Sequence, residues 1–68
     1  MKWISVKDKL PEELTPVMVW DQGFFDYGVG VAEVRAWGDG YGWVYDGEVR
    51  TFLEPTHWAP MPDAPSGN

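Results

Sequence analysis

Binding chemistry in this sequence concentrates in two Trp–Arg juxtapositions. Arg50 comes opposite Trp43 if Tyr41–Leu53 folds as a hairpin about Asp46-Gly47, and Arg35 shares a strand face with Trp37. A guanidinium stacked on indole is a common structural device, worth roughly 0.5–1 kcal/mol at an exposed site. The same pairing holds flat aromatic ligands and anchors protein partners, because Trp, Tyr and Arg dominate interface hot spots. Both uses stay open at this point. The candidate binding face is Trp37, Tyr41, Trp43, Tyr45, Arg35 and Arg50, with Phe24 and Phe25 at its rim.

Catalytic constellations are not legible. His57 stands without cysteine or a second histidine, so a metal site would need carboxylates that sequence does not locate, and the residue reads as hydrogen-bonded and structural. Ser5, His57 and an aspartate make a triad only on paper, with no nucleophile elbow or oxyanion signature beside them. Gly28-x-Gly30 lacks the third glycine and following helix of a dinucleotide fingerprint. Gly38-Asp39-Gly40 is too short to cradle phosphate. Glu12-Glu13 lies in a proline-bounded stretch that reads as solvated surface. The chain is therefore read as non-enzymatic, with no catalytic residues, no metal and no cofactor.

Composition narrows the partners. With 68 residues there is room for one small core, and a chain this short buries only about 60% of its unfolded surface. Five Trp, three Tyr and three Phe offset that shortage, since each ring buries roughly 150–250 Å². Self-association is a second route to the same end. The net charge of −6 argues against direct nucleic-acid binding, which wants a basic footprint. No charged-then-apolar leader and no run of eighteen apolar residues is seen, which reads as a cytoplasmic, non-membrane protein.

The elements that must position these residues start from Asp46-Gly47. A type I′ turn needs φ > 0 at both central residues, which Asp-Gly supplies cheaply. The two-residue loop sets Tyr45 against Glu48, Val44 against Val49, Trp43 against Arg50, Gly42 against Thr51 and Tyr41 against Phe52. Alternation then puts Val44, Val49, Thr51 and Leu53 on one face, expected as core. Tyr41, Trp43, Tyr45, Glu48, Arg50 and Phe52 share the other, expected to be partly exposed.

Pro16–Asp21 reads as a strand and residues 22–26 as a connection in which Phe24-Phe25 plug the core or make a contact. Tyr27–Trp37 is the longest strand, with a small-residue row (Gly28, Gly30, Ala32, Val34, Ala36) suited to lie beneath large rings. Gly38-Asp39-Gly40 turns the chain into a second hairpin. Ser5 with Asp8 could cap one turn before Pro11. Pro60 and Pro62 restrict 56–62 to an edge strand or a polyproline-like stretch. The expected fold is mainly β: a small antiparallel meander of four or five strands, at most a partial barrel, with an N-terminal arm. Residues 1–62 form one domain and 63–68 a flexible tail.

Read together, the two ends carry a resemblance. Trp3-Ile4-Ser5-Val6-Lys7-Asp8-Lys9-Leu10-Pro11 and Thr56-His57-Trp58-Ala59-Pro60-Met61-Pro62 resemble the opening and closing motifs of a short phage and prophage family, domain of unknown function 551. Ala59 and Met61 depart from its usual Met and Leu, and the middle is longer and more aromatic. The resemblance implies that arm and terminal strand pack together, bringing Trp3 and Trp58 to one seam with His57 held in it. By analogy it implies a phage accessory protein that neutralises a host component, such as a defence system, by binding. The partner is then a host protein met by the aromatic/arginine face. The alternatives are an oligomeric sponge for a small anionic or aromatic, nucleotide-like ligand, and an acidic DNA-mimic inhibitor using Asp21, Asp26, Asp39, Asp46 and Glu48.

Overall fold

The computed structural model describes residues 2–63. Six strands form one open antiparallel sheet: β1 Ile4–Ser5, β2 Val17–Trp20, β3 Val29–Trp37, β4 Gly40–Tyr45, β5 Glu48–Val49 and β6 His57–Pro60. The spatial order is β1-β6-β2-β3-β4-β5. The arm thus contributes an edge strand, which takes the count beyond the five expected. The part of the expected tail from residue 64 onward lies outside the described residues.

The Asp46-Gly47 turn forms as the sequence requires, with φ of 56° and 83°. Its register is Val44↔Val49 and Tyr45↔Glu48, followed by the Arg50 N–H donating to the Trp43 carbonyl at 2.9 Å. Pairing then stops. The Leu53 N–H donates to the Arg50 carbonyl in a turn, so Thr51 and Phe52 never meet Gly42 and Tyr41 across a ladder.

Faces follow from register, because residues directly opposite in a ladder share a side. Val17 and Val19 stand opposite Ala32 and Gly30 on β3, and opposite Pro60 and Trp58 on β6. Val34 stands opposite Trp43. That side is the core: Val17, Val19, Ala32, Val34, Trp43, Leu53 and Trp58 are buried together, with Ile4, Val6, Leu10, Phe24 and Phe25 packed against them. Loops supply its cover. Phe24 and Phe25 plug the core, and the small row of β3 lies under large rings.

The expected inner and outer faces of the central hairpin are reversed. Trp43 is 5% exposed, whereas Val44 and Val49 are half-buried on the opposite, outer face and Thr51 is exposed. The small side chains of β3 leave the volume on the core side, so the largest ring of β4 goes there. Only Leu53 of the expected aliphatic set is fully buried, and it reaches the core from the loop after β5.

Residues 57–60 do not form an edge. β6 lies between β1 and β2, yet β1 covers only His57 and Trp58. Pro60 is the last residue of β6 and pairs with Val17 alone, a strand-end position that tolerates proline. The arm and terminal strand do pack together: Ile4 is level with Trp58, Ser5 with His57, and the Trp58 Nε1–H donates to the Lys9 carbonyl at 2.8 Å. Trp3 departs from the expected seam and meets Trp20, not Trp58. Ser5 makes its turn, accepting at its carbonyl from the Asp8 and Lys9 N–H groups and at Oγ from Lys7.

Beyond β2, the upper half of β3 has a free edge that the chain covers with residues 13–14. The Leu14 N–H donates to the Val34 carbonyl at 2.8 Å, and Glu13 Oε2 accepts the Ala36 N–H at 2.7 Å. Glu13 is thus an edge cover and not simply a solvated charge. The contact holds Leu14 at φ 61° with its side chain 59% exposed. A left-handed φ costs a branched L-residue roughly 1–2 kcal/mol, part of which glycine returns as chain entropy. Leu14→Gly is accordingly expected to raise stability by up to about 1 kcal/mol, read as a higher melting temperature. A lower one would show that the leucine side chain is held by contacts worth more than the strain.

Candidate functional site

The early end of β5 opens a cleft. Along Gly40–Gly42, β4 is bonded to β3 on one side and to no strand on the other among the described residues. The chain leaving β5 swings away from this edge and returns through Leu53, Glu54 and Pro55. Between the two lies a cavity of about 340 Å³ lined by Trp37, Tyr41, Gly42, Trp43, Val49, Arg50, Thr51, Leu53, Glu54 and Pro55. Gly42 leaves room on the outer side of this edge: a Cβ there would come within 2.9 Å of Val49 Cγ1 and 3.4 Å of Trp37 Cγ.

Aromatic surface surrounds the opening. Trp37 is 54% exposed, Tyr41 46% and Phe52, between the lining residues Thr51 and Leu53, 89%. Tyr41 stands edge-on to Trp43, with ring centroids 6.3 Å apart, so one exposed ring is braced by a core ring. Arg50 does not spend its guanidinium on Trp43. Its Nε–H donates to the Tyr45 carbonyl at 2.9 Å, and Nη2 lies 3.9 Å from the Asp46 carboxylate, an exposed ion pair of little worth.

The eight residues singled out from sequence are divided among three places. Trp37, Tyr41, Trp43 and Arg50 line the cleft, Trp43 as its buried floor. Arg35 is exposed on the outer face of β3, level with Gly42, and belongs to no shared face with Trp43. Tyr45, Phe24 and Phe25 form their own cluster at the far end of β4, with Tyr45 centroids 5.5 and 5.3 Å from the two phenylalanines. A single aromatic face carrying all eight does not exist, because Trp37 and Arg35 point to one side of the sheet and Trp43, Tyr41 and Tyr45 to the other.

Two roles escaped the sequence. Phe52 belongs to the expected aromatic face, but its near-complete exposure depends on the chain leaving the ladder at Arg50. Asp21 looked like surface charge; it is a loop clamp. Its Oδ1 accepts the N–H groups of Gly23 and Phe24 at 3.0 and 3.2 Å, and its Oδ2 accepts that of Glu54 at 2.7 Å. The pattern Asp-x-Gly at 21–23 signals the local half of that arrangement. Glu54, thirty-three residues on, has no local signal.

The family model for a protein of unknown function, DUF551, matches residues 2–66, nearly the whole chain. The chain belongs to this family. Comparison of this DUF551 chain with curated proteins and with solved structures finds no significant match. Among its described residues no helix is long and apolar enough to cross a membrane.

Proposed function

We propose that this DUF551 protein is a non-enzymatic binding module, a phage accessory protein that engages a host protein in the host cytoplasm through the β4-edge cleft. One observation carries the reading: two exposed aromatics, Trp37 and Tyr41, line a cleft beside an unpaired strand edge, and the exposed Phe52 lies between two of its lining residues in the chain. Aromatic rings with few side-chain torsions make contact area at low entropic cost, and such residues dominate interface energetics. An unpaired edge offers main-chain N–H and C=O groups to an extended partner segment, with the neighbouring cleft taking its side chains. The partner's segment joins β4 along Gly40–Gly42. The phage setting and the host target rest on the family resemblance.

The test is retention of a host protein on immobilised wild type against Trp37→Ala and Phe52→Ala. Hot-spot truncation costs at least 2 kcal/mol, so each is expected to weaken retention by about thirty-fold. Both rings are exposed, and the variants are expected to melt within a few degrees of wild type. Undiminished retention by both variants would move the binding surface elsewhere.

A further inference from the structure

At the opposite edge of the sheet, on its outer face, β2, β6 and the residue before β1 bring Trp20, His57 and Trp3 around a shallow cavity of about 270 Å³. Register places them: Ser5 is level with His57, and His57 with Trp20, while Trp3 lies two residues before Ser5 and therefore on the same face. The residues are seventeen and thirty-seven positions apart in the chain, so only the sheet order makes them neighbours. All three are half-buried. The indole centroids are 6.3 Å apart with an interplanar angle of 68°.

Two of the walls are fixed before anything binds. Trp20 lies against the backbone of Gly28, where φ is 85° and a Cβ would come within 2.6 Å of Trp20 Cη2. His57 Nδ1 is 2.9 Å from Thr56 Oγ1, which orients the imidazole. The two indoles pack in a T-shaped arrangement, and a cation in the corner between centroids 6.3 Å apart can lie over the face of one ring and within about 6 Å of both. The cavity is lined by no carboxylate. Asp21, next to Trp20, already turns both oxygens to backbone N–H groups. A primary ammonium, which gives up strong hydration, needs hydrogen-bond acceptors in return. A methylated ammonium needs only apolar contact and ring faces. The net charge of −6 raises the local concentration of cations in general.

We propose that Trp3, Trp20 and His57 form a half-cage for a quaternary ammonium group. This site is separate from the β4-edge cleft and independent of its partner.

The experiment is an NMR titration following the indole N–H resonances, with choline and tetramethylammonium chloride as probes. Sodium chloride controls for ionic strength, and 3,3-dimethylbutan-1-ol is the neutral isostere of choline. Both cations are expected to shift the Trp3 and Trp20 resonances saturably, with the neutral alcohol about ten-fold weaker. Trp3→Leu is expected to weaken choline by about ten-fold while the other indole resonances keep their positions. His57→Leu serves the same purpose should Trp3→Leu lose the fold. Equal binding of the alcohol and choline would overturn the proposal in favour of a merely apolar hollow. Non-saturable shifts, or choline binding unchanged in the folded variants, would also overturn it.

Discussion

Trp43→Ala is expected to lower stability by about 3–5 kcal/mol, although sequence alone makes this tryptophan a surface contact. Its ring is 5% exposed, opposite Val34 and within the cluster that includes Val19, Leu53 and Trp58. Truncating a buried tryptophan costs about 3–5 kcal/mol in transfer free energy and residual cavity. A domain of 68 residues holds roughly 0.05–0.15 kcal/mol per residue, or about 3–10 kcal/mol in all. One substitution thus removes about a third to a half of the total at the upper end of that range and all of it at the lower end. Urea titration by circular dichroism reads the result directly, and Trp37→Ala is the control. Trp37 is 54% exposed, so its loss is expected to move the midpoint little. Equal destabilisation by the two variants would contradict the assignment of core and rim.

The second large effect concerns a glycine on the core side of β3. Gly30 stands opposite Val19, and a methyl group there would lie inside the van der Waals envelope of the Phe25 ring, against Cζ, Cε1 and Cε2. Phe25 cannot simply withdraw, since its ring is also edge-on to Phe24 and Tyr45 at 4.9 and 5.3 Å. Gly30→Ala is expected to cost about 1–3 kcal/mol by overpacking. The cause is one clash, so it can be isolated by a double-mutant cycle. Adding Phe25→Ala should recover part of the loss, with a coupling of about 1–2 kcal/mol between the sites. Additive losses would place the strain in the β3 backbone and not against the ring.

These two residues also show what a sequence discloses. The Asp46-Gly47 turn was legible because a two-residue loop has few chemical solutions, and its register followed at once. The small row of β3 was legible as well, together with the large rings it must lie beneath. Which side of β4 faces inward was not. Alternation defines two faces without ranking them, and Val44 with Val49 looked the better core until the space over Gly30, Ala32 and Val34 was accounted for.

Long-range features were hidden for a different reason. The insertion of β6 between β1 and β2, the Asp21–Glu54 clamp and the Glu13–Ala36 edge cover join residues distant in the chain. No local pattern encodes them. For the same reason the eight residues of the sequence-derived site fall in three places, and the four that meet do so only because β5 ends after two residues.

Site-specific photo-crosslinking tests the binding proposal most directly. A photoreactive amino acid placed at Thr51, exposed in the cleft lining, is compared in host cells with one at Tyr27, which is 91% exposed and outside it. One discrete protein adduct is expected from the Thr51 probe, lost when Trp37→Ala is added, and none of that species from the Tyr27 probe. The same adduct from both positions, or none from Thr51 while native mass spectrometry shows a small-molecule mass excess, would contradict it.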